Sequence, residues 1–215
     1  GLPDTYFDSR QLEFYGDISF LKGGVVFADL VTTVSPRYAR ELLTEEYGCG
    51  LEGVFRAKGG TLTGVLNGVD YTEWKTTDNP HLSASYSADS PGGKSVNKHA
   101  LQRELGLPAL DDVPLLGNIS RFTDQKGIDI LLGALEELLG GGAVFQFAGL
   151  GSGEPLLEQA MRGLAKSHPE QVAVKVGYDT GLAHRIEAGS DFYVMPSRFE
   201  PCGLNQLYSL RYGSV

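Results

Sequence analysis

Val113-Pro114-Leu115-Leu116-Gly117-Asn118-Ile119, then Ser120-Arg121-Phe122-Thr123-Asp124-Gln125-Lys126-Gly127, then Ile128-Asp129-Ile130-Leu131-Leu132 read in order as a strand, a loop and the start of a helix. The helical segment sets Ile128, Leu131, Leu132, Leu135, Leu138 and Leu139 on one face with alternating three- and four-residue spacing. The same grammar repeats downstream. A strand at Ala143 to Ala148 precedes a helix from Pro155 to Lys166, with Pro155 in the first turn, where its missing N–H costs nothing. A strand at Val172 to Val176 precedes a short helix ending near Glu187, and a strand at Phe192 to Met195 precedes a helix from Leu204 to Arg211. Apolar runs alternating with helices predict a parallel sheet covered on both faces and joined by right-handed crossovers, a doubly wound α/β domain over 108–215.

Upstream the pattern is less regular. A helix is expected from Lys94 to Leu105, ended by Pro108, and the Asp-, Ser-, Thr-, Asn- and Pro-rich stretch from Tyr71 to Gly93 reads as a crossing between domains. Residues 76–107 are therefore assigned to the crossing and lead-in helix, and 1–75 to the closing part of another α/β domain. Within that part, Ser35-Pro36 is a helix start running to about Tyr47, flanked by short strands near Leu30 to Val34 and Leu62 to Leu66.

Composition narrows the classes. Among 215 residues, 18 Lys and Arg stand against 27 Asp and Glu, a net charge of −9 that argues against a nucleic-acid-binding domain. Cys49 and Cys202 are the only cysteines and the four histidines have no metal-ligand spacing, so neither a disulfide framework nor a metal site is expected. No apolar run reaches the roughly 18 to 20 residues of a membrane span. The 29 glycines, without a collagen period, predict tight functional turns. A chain that opens at Gly1 without a targeting segment and stops just past an amphipathic segment reads as a fragment.

Open parallel sheets bind ligands outside the carboxyl ends of their strands, where helix N-termini attract anions. In the first such loop, Arg121 and Lys126 can converge on a diphosphate, or can simply cap solvent-exposed turns. The second, Gly149-Leu150-Gly151-Ser152-Gly153, is short of the full G-x-G-x-x-G dinucleotide fingerprint and lacks its later acidic residue. The third holds Tyr178 between Gly177 and Asp179, placed either to stack on a base or to pack at an edge. The fourth holds Glu200, a site carboxylate or a helix-capping acid, and Cys202, a small buried hydrophobe on the bland reading.

The strings S-R-F-T-D-Q-K-G, G-L-G-S-G-E, V-G-Y and S-R-F-E-P-C-G-L-N-Q-L-Y-S-L-R-Y-G together resemble bacterial glycogen synthases and plastid starch synthases. Gly16-Asp17-Ile18-Ser19-Phe20-Leu21-Lys22, Thr32-Thr33-Val34-Ser35-Pro36-Arg37-Tyr38-Ala39 and Leu66-Asn67-Gly68-Val69-Asp70-Tyr71-Thr72-Glu73-Trp74 extend the resemblance in family order over nearly the whole chain. It implies a GT-B glycosyltransferase with two Rossmann-like domains facing a cleft. Such an enzyme transfers glucose, with retention, from ADP-glucose to the nonreducing end of an α-1,4-glucan. By motif position, Arg121 and Lys126 would bind the diphosphate, Gly177 and Tyr178 would meet the adenine, and Glu200 with Cys202, Gly203 and Leu204 would contact the donor sugar and its phosphates. Asn67 would approach the cleft from the first domain. The resemblance implies ADP-glucose as donor substrate, a glucan acceptor, and no dissociable cofactor, nucleic acid or membrane partner. The setting would be a bacterial cytoplasm or, alternatively, the plastid stroma.

Some features depart from the wider group. Its E-x7-E spacing from Glu200 reaches Tyr208 here, as in the glycogen synthase branch. The family's K-x-G-G-L loop, a cleft histidine and a T-G-G-L turn are not found, and Lys22-Gly23-Gly24 and Lys58-Gly59-Gly60 lack the right context. The 215 residues alone are accordingly expected to lack turnover. Alternatives are another GT-B transferase, a non-catalytic nucleotide- or glucan-binding module and, least favoured, a Rossmann dehydrogenase.

Overall fold

The computed structural model describes all residues, 1–215, which divide into two compact units, Gly1–Asn67 and Gly68–Val215. In the first unit, β1 (Glu13–Phe14) and β2 (Asp17–Ile18) form a minimal antiparallel hairpin. Its turn residues Tyr15 and Gly16 both have positive φ, which suits the twist of a two-residue turn. Helix α1 (Phe20–Phe27) is N-capped by Ser19, whose hydroxyl accepts from the Lys22 amide. Lys22 thus lies in a helix, as its surrounding sequence indicates. Its buried ammonium donates to the Ser9 and Glu13 carbonyls.

Strands β3 (Val31–Thr33) and, later, β4 (Leu62–Gly64) pair in parallel. Between them lie α2 (Pro36–Glu41), α3 (Glu45–Gly48) and α4 (Glu52–Lys58). Ser35 caps α2 and Pro36 opens it, but the single helix expected to Tyr47 is two. Thr44 sits in extended backbone, and its hydroxyl and amide both donate to the Glu41 carbonyl, which closes the first helix. Val25, Leu42, Leu51 and Phe55 make the core of this unit.

The second unit contains α5 (Gly93–Glu104), β5 (Leu115–Ile119), α6 (Ile128–Gly140), β6 (Gln146–Gly151), α7 (Pro155–Ser167), β7 (Val172–Val176), α8 (Thr180–Gly189), β8 (Phe192–Tyr193) and α9 (Leu204–Tyr212). Its four strands are all parallel in the order β7-β6-β5-β8. Leu116 is in register with Phe147 on one side and Phe192 on the other. One face buries Ile128, Leu131, Leu135, Phe147 and Met161 against α6 and α7, while the other buries Leu101, Leu115, Leu150, Leu182 and Ile186 against α5 and α8. This is the doubly wound arrangement expected from the repeated units.

Strand β6 corrects the expected Ala143 to Ala148 by three residues. Pairing begins only where the Gln146 amide reaches the Pro114 carbonyl and continues through Gly149 and Gly151, which had read as loop. A Cβ on Gly151 would stand 1.9 Å from the Ser120 carbonyl oxygen, so the glycine lets two strand ends approach. Residues 68–92, with α5, belong to the second unit: Tyr86 and Tyr212 share a buried cluster with Trp74 and Leu82 packed on it. No helix is long and apolar enough to cross a membrane.

Candidate functional site

The chain runs outward from β5 through β6 to β7 and then returns to place β8 on the other side of β5. The strand order therefore reverses between β5 and β8, and the loops after these two strands, 120–127 and 194–203, form the switch point where doubly wound sheets bind ligands. These loops are bound to one another. The Arg198 amide donates to the Gln125 carbonyl at 2.9 Å, and the Gln125 side-chain amide donates to the Phe199 carbonyl at 3.4 Å. Gly127 has φ of +65°, and a Cβ there would lie 2.1 Å from the Pro196 carbonyl oxygen.

This contact brings together two of the expected site residues. Lys126 Nζ donates to Glu200 Oε1 at 2.6 Å, with the two side chains 20% and 15% exposed. The N-cap of α9 is Gly203, with no side-chain cap, so Glu200 does not cap this helix. Gly203 has φ of +77°, Leu204 opens the helix, and Cys202 is half-buried rather than core. Asn205, in the first turn, donates to the Ile119 carbonyl and to the Tyr193 hydroxyl at 2.8 Å. The Tyr193 hydroxyl in turn donates to Ile119 O and accepts from Ile119 N, which pins α9 to the end of β5. Burial pushes the Tyr193 phenol pKa up, so it remains a donor.

Beside the switch point is a cleft of about 310 Å³ lined by Arg121, Gly151, Ser152, Gly177, Tyr178, Asp179, Thr180 and Asn205, with Glu73 and Trp74 on one wall. Arg121 is exposed and donates to Gln125 Oε1 at 3.1 Å. Gly177, at φ of +142°, turns the chain so that Tyr178 stands 92% exposed, presenting a bare ring instead of packing at an edge. Asp179 caps α8 by accepting from the Leu182 amide, and its bond to Lys175 at 2.6 Å holds its carboxyl below the usual range.

Arg121, Gly177 and Tyr178 thus line one cleft. Lys126, Glu200, Cys202, Gly203 and Leu204 sit on the adjoining switch-point loop and helix start, outside its lining, and Asn67 is the last residue of the first unit. Sequence reasoning missed Asn205 and the Glu73-Trp74 wall. Asn205 stands at a helix start behind a glycine, a signal available in Gly203-Leu204-Asn205. Trp74 stacks on Tyr208 with centroids 3.8 Å apart and on His184 at 4.3 Å, a tertiary arrangement that spacing does not reveal. A larger hollow, about 600 Å³, lies at the opposite end of the sheet between Pro108 and Gln171. It faces the amino ends of the strands, away from the four loops.

A family model describing the starch synthase catalytic domain matches residues 1–57. The glycogen synthases of Thioalkalivibrio sulfidiphilus and Cellvibrio japonicus are 53% and 52% identical to the chain along all of its length, which covers 44% of each. The catalytic domain of starch synthase IV from Arabidopsis thaliana, solved with ADP and acarbose, superposes with a TM-score of 0.92 at 35% identity over the whole chain and 45% of that structure. Sucrose-phosphate synthase from Thermosynechococcus elongatus, at 20% identity and a TM-score of 0.58 over 90% of this chain and 41% of its own, shares the fold alone. The architecture is the α/β GT-B type, and the chain spans about half the length of the curated relatives it matches. Half of its residues are identical to bacterial glycogen synthases from end to end, so the chain is similar along its whole length to part of a glycogen synthase or starch synthase.

Proposed function

We propose that this chain carries the nucleotide-sugar site of a retaining transferase that moves glucose from ADP-glucose to the nonreducing end of an α-1,4-glucan during glycogen or starch synthesis. The observation that carries the reading is the Lys126–Glu200 pair, 2.6 Å apart on the two switch-point loops, beside a cleft holding Arg121 and an open Tyr178 ring. Tyr178 offers its face to the adenine, and Arg121 and Lys126 meet the diphosphate. Glu200 orients Lys126 and, with the N–H groups opening α9, the donor sugar and its phosphates. Asn67 is assigned to substrate binding by its motif position alone.

As ADP leaves, negative charge builds on the β-phosphate while the sugar becomes oxocarbenium-like. Fixed cations on one side and oxygen acceptors on the other lower that barrier without a dissociable cofactor. The Arabidopsis structure, described as bound to ADP and acarbose, supports a nucleotide and a glucan-like ligand as the two occupants. The bacterial relatives favour a cytoplasmic setting over the plastid stroma.

Calorimetric titration tests the nucleotide assignment. ADP-glucose should bind the 215-residue chain saturably without turnover, NAD should not bind, and Arg121→Ala should weaken the ADP-glucose site. In the full-length transferase, Arg121→Ala should lower kcat about 10²–10³-fold, as for loss of one preorganised electrostatic donor. Normal turnover in that variant would remove Arg121 from the mechanism. Binding without transfer even at full length would turn the reading into a nucleotide- or glucan-binding module.

A further inference from the structure

Arg198 lies two residues before Glu200 but points away from it. Its guanidinium makes a two-pronged pair with Asp129, at 2.8 and 2.7 Å, and also donates to the Asp124 carbonyl at 2.8 Å. Asp129 is in the first turn of α6, and Asp124 opens the short turn that holds Lys126. One side chain on the Glu200 loop therefore grips both flanks of the Lys126 loop. Gln125 completes the grip: its backbone carbonyl accepts from Arg198 N, its side-chain oxygen accepts from Arg121, and its side-chain nitrogen donates to Phe199 O.

The ion pair is exposed, 40% on Arg198 and 47% on Asp129, so its contribution to global stability is small. A planar guanidinium on a carboxylate nevertheless fixes distance and angle in a way a lysine cannot. The two loops meet across separate strands, and Gly127 leaves room for little more than backbone contact between them. With no continuous element joining Lys126 to Glu200, the single backbone bond from Arg198 N to Gln125 O leaves the side-chain contacts to fix the remaining freedom in their separation.

We infer that Arg198, gripping Asp129 and Asp124 and assisted by Gln125, is a positioning residue that sets the Lys126–Glu200 geometry and steadies Arg121. This rests on the transfer reaction proposed above. It assigns Arg198 no contact with substrate. Its effect is on the alignment of the charges that meet the departing diphosphate, so it belongs in kcat and in donor handling, with acceptor affinity unaffected.

The test uses the full-length transferase with Arg198→Gln, Arg198→Lys, Asp129→Asn and the Arg198→Gln/Asp129→Asn double variant. Expected are a kcat at least tenfold below wild type for Arg198→Gln and Asp129→Asn, an unchanged KM for the glucan, and a melting temperature within about 2 °C of wild type. The double variant should be no worse than the poorer single one, because both remove the same grip, and Arg198→Lys should recover only part of the rate. Single-variant kcat values within twofold of a transferring wild type overturn the inference. Multiplicative losses in the double variant, or rates that fall only in step with melting temperature, also overturn it. A wild type that binds ADP-glucose but transfers nothing fails the proposed function itself, an outcome distinct from these.

Discussion

Glu187 is fully buried in α8, and neither carboxylate oxygen has a hydrogen-bond partner. Burial raises its pKa from 4.5 to about 8, opposed by the charge of Lys94 on α5, and the Tyr86, Tyr193, Tyr208 and Tyr212 phenols feel its charge. Lys94, held by the Ala188 and Tyr212 carbonyls and the Ser214 hydroxyl, is itself lowered by burial to about 8. Between pH 4.5 and 8 the folded chain keeps a Glu187 proton that the unfolded chain releases, so this group makes stability fall as pH rises. From 8 to 10.5 Lys94 acts in the opposite sense. His184, lowered by burial to about 4, also opposes Glu187 between 4 and 6.5. Glu187→Gln should therefore stabilise the second unit by on the order of a few kcal/mol at pH 8 and by much less at pH 5. Urea unfolding at the two pH values checks this, and an equal effect at both would show that Glu187 does not titrate in that window.

At the scale of elements, the site depends on loops that approach more closely than side chains allow. Gly127 combines a left-handed φ with a backbone oxygen 2.1 Å from where a Cβ would sit. Gly127→Ala should cost about 1–3 kcal/mol of stability and force the Pro196 to Glu200 segment away from Lys126. Its mark would be a weakened ADP-glucose affinity together with a lowered melting temperature. An unchanged affinity would mean that the two loops hold their spacing without this contact. The same constraint explains β6. Gly149 and Gly151 read as a glycine loop because glycine weakens strands in general, yet here they extend the strand: a Cβ on Gly151 would meet the Ser120 carbonyl and the Phe122 ring, and one on Gly149 would meet the Phe147 ring.

On the scale of the whole chain, each unit has its own core, centred on Phe55 and Leu51 in one and on the two faces of the sheet in the other. Separate cores predict separate unfolding steps. Trp74 is the sole tryptophan and lies in the second unit on the cleft wall. Its fluorescence should report only that unit's melting, and ADP-glucose should raise that midpoint while leaving any transition seen only by circular dichroism in place. A shift of both midpoints would place the ligand differently. The strand-helix alternation after Val113 was legible because apolar periodicity is local: β7 stands where its residues indicate, and α7 and α9 differ by one residue at their ends. The residue types at the strand tips were legible for the same reason, since a loop after a buried strand in an open sheet has one place to go. The start of β6, the break at Thr44, the stacking of Trp74 on Tyr208 and the grip of Arg198 on Asp129 were decided by partners from 3 to more than 130 positions away, as were the distances on which chemistry depends. Sequence alone determined the order of the elements and the residue types at their ends; tertiary structure alone decided which cation meets which carboxylate, because pairing is set by sheet order and close packing, which no local spacing encodes.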